Sequence, residues 1–297
     1  MRYYQAMDAQ EADKRFGVPG VLAFEPGSDG LTRAVVTTTA CSGHTYLYGA
    51  HVTGYQPAGH EPVLFVSEES LYQQGKAIRG GVPVCFPWFG PHATDKSAPS
   101  HGPARITTWE LVGVDQSGDG ITLNLSAEFA PYRVDYRVTF GDGLKMRLTV
   151  RNTSQSHATF EAALHTYLDV GDARMVEIKG LSDVEYLDKV DNQERKRQSD
   201  QPIMFTGETD RVYLDTESAC VLTDPVLKRR ITVAKTGSRS TVVWNPWSGK
   251  AGAMGDFGND EWTRMACIET ANAGPNAVTL EPCGIHEMSA TLSVSAF

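Results

Sequence analysis

Ile121-Thr-Leu123-Asn-Leu125-Ser-Ala127-Glu-Phe129 puts an apolar side chain at every odd position. The next run alternates on even positions, Tyr132, Val134, Tyr136, Val138 and Phe140, and a third follows at Leu144, Met146, Leu148 and Val150. Successive side chains on a strand point to opposite faces. A period of two therefore gives each run one face for a core and one for water, where a helix would repeat every 3.6 residues. The separators Ala130-Pro131 and Gly141-Asp142-Gly143 are turn chemistry, since Pro pre-sets one turn dihedral and Gly tolerates positive φ. The stretch 121–150 is thus predicted to be an antiparallel meander.

Outward from it, the same logic predicts strands at 160–170, 174–179, 211–214, 219–223, 231–235, 240–244, 264–270, 277–281 and 287–296. Helical signals are few: an N-terminal helix over 5–16, one or two turns at 67–75, and a Pro/Gly-rich stretch at 245–255. Asp188–Gln201 is the most loop-like region. Many short strands, turn signals between them and almost no helix predict an all-β fold, a large antiparallel β-sandwich. Without an internal repeat or linker, residues 1–297 read as one domain.

Composition narrows the function. The 297 residues carry 27 Lys+Arg against 36 Asp+Glu, a net charge of −9, and 41% are hydrophobic, which excludes extended disorder. The acidic balance argues against general nucleic-acid binding, which draws its affinity from neutralising phosphates. A local arginine cluster can still hold a small anion within a negative field. Five cysteines, at 41, 85, 220, 267 and 283, form no CxxC pair and suggest neither a disulfide framework nor a zinc ribbon. With no apolar run near the ~18 residues of a membrane span, the expectation is a cytoplasmic monomer without membrane attachment.

Four segments could carry chemistry. Ile78–Pro91, IRGGVPVCFPWFGP, has prolines at 83, 87 and 91, each lacking a ladder donor, so it cannot be a central strand. It reads as a shaped loop in which Arg79 offers a planar fork of donors to hydroxyls or a phosphate, and an aromatic ring such as Trp88 can pack on a sugar's C–H face. The same loop could equally be a Pro-stiffened cover for one end of a sandwich. Ten residues on, Ser100-His101-Gly102-Pro103-Ala104-Arg105 adds a second imidazole and a second guanidinium.

In Phe160–Val170 the even positions are apolar except Thr166, and the odd ones align Glu161, His165, Tyr167 and Asp169. That face is either the solvent side of a core strand or a proton-transfer site, since the imidazole pKa lies near neutrality. In Arg264–Asn272, Glu269 shares its face with Met265 and Cys267. Desolvation there would raise its pKa and make it a better base near pH 7, whereas a strand-end Glu would simply point into water. The eight histidines show neither HxH nor HExxH spacing, so metal chemistry has little support.

Taken in order, IRGGVPVCFPWFGP (78–91), HGPAR (101–105) with Trp109-Glu110-Leu111, ALHTYLDV (163–170), FTGETDRVY (205–213), VVWNPW (242–247) and MACIETAN (265–272) resemble the hexose-6-phosphate mutarotases, or glucose-6-phosphate 1-epimerases, of the aldose 1-epimerase family. The resemblance covers roughly residues 20–295. It departs at Pro103, where the family more often has an apolar residue such as Phe; this is expected to alter loop packing more than chemistry. The resemblance implies a twisted β-sandwich like that of galactose mutarotase, acting on a sugar phosphate with no cofactor or metal. It implies His165 as general acid and Glu269 as general base, Arg79 and His101 on the sugar, and Asp210 on hydroxyls. Arg79 and Arg105 would clamp the phosphate, helped by Lys96 from the intervening loop.

Overall fold

The computed structural model describes residues 7–296. The meander forms as the alternation requires: Gly120–Phe129, Tyr132–Phe140 and Leu144–Asn152 pair antiparallel, with Ile121 across from Phe140 and Val138 across from Met146. Its apolar positions are buried, from Ile121 to Val150. They form part of an eight-stranded antiparallel sheet that continues through Ile285–Ala296, Arg229–Thr236, Cys220–Asp224 and Glu177–Lys179, with Glu110–Ser117 at the other edge.

A second eight-stranded sheet carries the motifs. From one edge its order is Glu194–Arg197, Glu185–Asp188, Thr209–Tyr213, Ser240–Asn245 and Met265–Asn272; then come Ala162–Leu164 and the edge pair Val84–Cys85, while Tyr167–Asp169 also pairs with Met265–Asn272. Faces of both sheets share one apolar cluster, in which Phe86 packs tilted or edge-on against Phe129, Tyr132 and Phe160 at 5.3–5.8 Å between centroids. The other face of the second sheet holds Tyr167, Val212, Val242, Trp244, Cys267 and Ala271 in a separate cluster. Residues two apart share a face, so Glu269 belongs with Cys267 and Ala271.

Several expectations are corrected. The strand 160–170 is broken into Ala158–Phe160, Ala162–Leu164 and Tyr167–Asp169, with Glu161, His165 and Thr166 outside the ladder. The strand at 174–179 shortens to Glu177–Lys179. The 67–75 segment forms turns, not a helix. The N-terminal helix runs Ala9–Phe16, started by the Asp8 side chain accepting from the Glu11 amide; residues 5 and 6 lie outside the described residues.

Asp188–Gln201 is not a plain loop, because Glu185–Asp188 and Glu194–Arg197 form a hairpin tied by Lys196 to Asp188 and Asp191. A four-stranded antiparallel sheet, Leu22–Pro26, Thr32–Thr37, Cys41–Tyr46 and His51–Pro57, was not anticipated. Its Gly, Thr and His residues blur the alternation on which strand prediction depends.

Candidate active site

The break in the 160–170 strand fixes the place of His165. The register that pairs Leu164 with Thr270 and Tyr167 with Cys267 leaves His165 directly across from Glu269. Its Nε2 lies 3.3 Å from Oε1 of Glu269, and both side chains are buried. Asp210, Trp244, Cys267 and Tyr167 form the neighbouring cross-strand row, since Asp210 faces Trp244 and Trp244 faces Cys267. Over these rows opens a cavity of about 300 Å³, at the lower end of the usual range for small-molecule sites. It is lined by His165, Glu269, Tyr167, Trp244, Asp210, Arg79, His101, Arg105, Phe89, Lys189 and Lys250, with Ser100 and Met254. Two larger cavities lie near the N-terminal helix and lack this convergence of titratable groups.

Burial decides the protonation of the pair. Desolvation pushes the Glu269 carboxyl well above its usual range, and the nearby Asp210 carboxylate adds to this while Lys189 and Arg105 oppose it. Desolvation also holds the His165 imidazole well below its ordinary value, with His101, Arg105 and Arg79 acting in the same direction. Both shifts favour the uncharged forms, carboxylic acid beside imidazole, a pair that holds one proton between Nε2 and Oε1. Nδ1 of His165 and Oε2 of Glu269 have no hydrogen-bond partner among the described residues.

The flanking loops are shaped by glycine where backbone must approach backbone. Gly80 and Gly81 have φ of 112° and 60°, and a Cβ would lie 2.4 Å from the Phe65 carbonyl oxygen at Gly80 and 2.3 Å from that of Val52 at Gly81. His101 is itself left-handed at φ 64°. Its amide donates to the Gly90 carbonyl at 2.7 Å and its Nδ1 accepts from the Gly90 amide at 3.2 Å. Burial keeps this imidazole neutral, so its proton is on Nε2, a donor available to a ligand.

The sequence-predicted residues divide. His165, Glu269, Arg79, His101, Arg105 and Asp210 all line the cavity; Trp88 and Lys96 do not. Trp88 instead braces its own loop, its Nε1 donating to the Pro99 carbonyl at 3.0 Å and its ring packing on His92. Phe89, the next residue, faces the cavity and packs edge-on against His101. Lys96 is exposed. Of the odd-numbered face, Glu161 accepts from the Phe89 and Gly274 amides, and Asp169 lies 3.4 Å from Arg264.

Arg79 also differs from a free anion clamp. Its Nε and Nη2 donate to Asp256 at 3.0–3.2 Å and its Nη1 to the Tyr167 hydroxyl at 3.1 Å. Lys189 lies 3.6 Å from Asp210 and 4.8 Å from the centre of the Phe89 ring, and Lys250 pairs with Glu208 at 2.8 Å. Among the described cavity residues, Arg105 is the cation without a carboxylate partner; its Nη2 donates to the Ser100 carbonyl. Lys189 and Asp256 could not be found from the sequence, the first because it stands in a polar stretch read as loop, the second because no motif contains it. As to metals, ligand atoms of His165, Cys267 and Glu269 lie within 4.8 Å of one another. A tetrahedral zinc shell wants them about 3.5 Å apart, so the spacing is looser than a formed site.

The site is a cavity over one of two large antiparallel sheets, where a buried imidazole and carboxyl meet beneath a rim of cations. The chain belongs to the aldose 1-epimerase family, whose model matches residues 34–291. It is 37% identical over 236 residues to the Escherichia coli protein named "Putative glucose-6-phosphate 1-epimerase", covering 76% of this chain and 78% of that one. A Salmonella typhimurium protein of the same name is 34% identical over 259 residues, covering 85% and 87%. The crystal structure titled "a putative mutarotase" from Salmonella typhimurium superposes with a TM-score of 0.88 at 29% identity, over 95% of this chain and 96% of that one. A galactose mutarotase-like protein from Clostridium acetobutylicum, 14% identical, shares the fold with a TM-score of 0.68 over 93% and 98% of the two chains. The family is one of isomerases, and the sandwich expected from the meander is the family's fold.

Proposed function

We propose that the protein interconverts the α and β anomers of a hexose 6-phosphate, glucose 6-phosphate being the first candidate, by acid–base ring opening. The observation that carries this reading is the buried His165–Glu269 contact at 3.3 Å on the floor of a cavity with cations at its rim. Anomer exchange needs the C1–O5 bond to break while the proton on O1 leaves and O5 gains one. Glu269, as carboxylate, takes the O1 proton, and His165, as imidazolium, gives its Nε2 proton to O5. The total on the pair is unchanged. The uncharged pair that burial favours reaches the reactive tautomer, carboxylate with imidazolium, when the proton passes from Oε1 to Nε2 across the 3.3 Å contact. The step ends again as carboxylic acid with imidazole. The open-chain aldehyde turns about C1–C2, and the reverse transfers close the ring on its other face.

A pair holding one proton is the form this exchange requires, and each transfer is worth about 10²–10⁴ in rate. His101 Nε2–H and Asp210 would orient hydroxyls, and Phe89 and Trp244 would bound the ring. Arg105, with Lys189 and Lys250, would take the phosphate by charge-assisted bonds. The names of the relatives support the sugar phosphate as substrate class. Exchange spectroscopy on glucose 6-phosphate, glucose and galactose tests the proposal: faster exchange for the phosphate ester supports it, and equal rates for glucose and its phosphate would move the substrate to free aldoses. Binding of the ester without faster exchange would make the protein a sugar-phosphate binder on an epimerase scaffold.

A further inference from the structure

A proton-transferring imidazole is ordinarily held in place through its second nitrogen, which donates to a carboxylate or carbonyl. His165 lacks a carboxylate or carbonyl partner from any other described residue: its buried Nδ1 meets no hydrogen-bond partner of good geometry, and the backbone interaction that raises its pKa is with its own residue. Its orientation must come from elsewhere. The Tyr167 ring lies parallel to it, 4.8 Å away at 12°, while Trp244 meets both rings edge-on. Tyr167 is in turn fixed by its hydroxyl, which accepts from Arg79 Nη1, and Arg79 is gripped through Nε and Nη2 by Asp256.

The loop that carries Asp256 is stapled to the segment that carries Arg79. Glu261 accepts from the Gly258 amide, the Ser67 hydroxyl and the Glu68 amide. Ser70 accepts from the Arg79 amide, and the Ser67 amide donates to the Arg79 carbonyl. The chain from Asp256 to the imidazole is therefore continuous and anchored at its far end.

We propose that Asp256 is a positioning residue for His165, acting through Arg79 and Tyr167. The proposal rests on the reading of His165 as a proton-transfer group. On this account Arg79 serves chiefly as a strut between carboxylate and phenol, and the anion falls to Arg105 and the two lysines. Loss of the Asp256 charge frees the guanidinium to turn, releases the phenol and lets the imidazole rotate against Glu269. Misplacements of about an ångström cost on the order of a hundredfold in rate.

The test compares Asp256→Asn, Tyr167→Phe and the double variant. Asp256→Asn is expected to lower kcat for glucose 6-phosphate anomer exchange tenfold or more while KM stays within about twofold. Tyr167→Phe, which keeps the ring and loses only the hydroxyl, should act in the same direction. The double variant should be no slower than the slower single one, as residues in one chain of contacts are not additive. Imidazole nitrogen NMR supplies a readout independent of turnover: His165 resonances should move in Asp256→Asn, with exposed His157 as the unmoved reference. Additive effects, a raised KM at unchanged kcat, or unmoved His165 resonances would each overturn the proposal. If Asp256→Asn fails to fold, Tyr167→Phe carries the test alone through kcat and the same resonances. If the wild-type protein does not speed anomer exchange at all, the proposed function fails, and the NMR comparison still decides whether Asp256 holds His165.

Discussion

Nε2 of His165 and Oε1 of Glu269 lie 3.3 Å apart although 103 residues of chain separate them, a number that follows from 269 − 165 − 1. The contact is a cross-strand pair made by register, not by sequence proximity, and burial pushes the two titrations in opposite directions: carboxyl up, imidazole down. A carboxyl with a raised pKa keeps its proton to higher pH, and an imidazole with a lowered pKa gains its second proton only at lower pH. The one-proton form therefore occupies the interval between the two titrations. We expect kcat to show no titration at the ordinary imidazole value of 6.5, with the acid limb below it. A pH–rate profile with a single step at 6.5 would contradict the assignment.

Asp210 raises the Glu269 carboxyl because two negative charges resist sharing one low-dielectric site. Asp210→Asn removes that repulsion, so the Glu269 ionisation should move to lower pH. The limb of the profile that reports Glu269 should follow it downward, since the Lys189 ammonium freed by the substitution also lowers the carboxyl; an upward move would contradict the assignment of that limb to Glu269.

Arg105 is the rim cation without a carboxylate to satisfy, so its loss should fall on the anionic end of the substrate. Hydrogen bonds to charged groups contribute about 1.5–3 kcal/mol, which predicts a tenfold or larger rise in KM for glucose 6-phosphate with Arg105→Ala and little change in kcat. Steady-state kinetics by polarimetry checks this. An equal fall in rate for glucose would place Arg105 at the sugar rather than the phosphate.

His51 is fully buried, its Nε2 lies 2.7 Å from the Gly80 carbonyl oxygen, and burial lowers its pKa from 6.5 to about 4. A lowered folded pKa means the unfolded chain takes up the proton first, so this contribution to stability is complete above 6.5. It is lost progressively as pH falls towards 4. The loss approaches about 3 kcal/mol at 1.36 kcal/mol per pKa unit. His51→Gln, which keeps a donor for Gly80, should show a shallower fall in Tm between pH 6.5 and 4 than the wild type. An unchanged slope would assign acid sensitivity to other histidines.

How much of this was legible depended on which physical signal each residue leaves in the chain. The meander was readable because three strands bury one face each and their apolar residues alternate without interruption. Glu269 shares a strand face with Met265 and Cys267, but the segment alone fits a strand-end Glu in water as well. Only the resemblance gave it a role, and only the structure shows that its whole strand is buried. The break at His165 was not readable, because Thr166 merely interrupts an apolar stripe and nothing local says that two residues leave the ladder. Trp88 and Phe89 are adjacent aromatics in a Pro-rich loop, and only the path of the backbone decides which of them faces the cavity. Lys189 and Asp256 are ordinary polar residues until the fold brings them beside Asp210 and Arg79.

The most direct measurement is saturation-transfer NMR between the α and β C1 protons of glucose 6-phosphate, with wild-type protein, His165→Ala and Glu269→Gln at equal concentration. The account predicts exchange well above the buffer rate for the wild type and a drop of about 10²–10⁴ for each variant. Wild-type rates in either variant would contradict it.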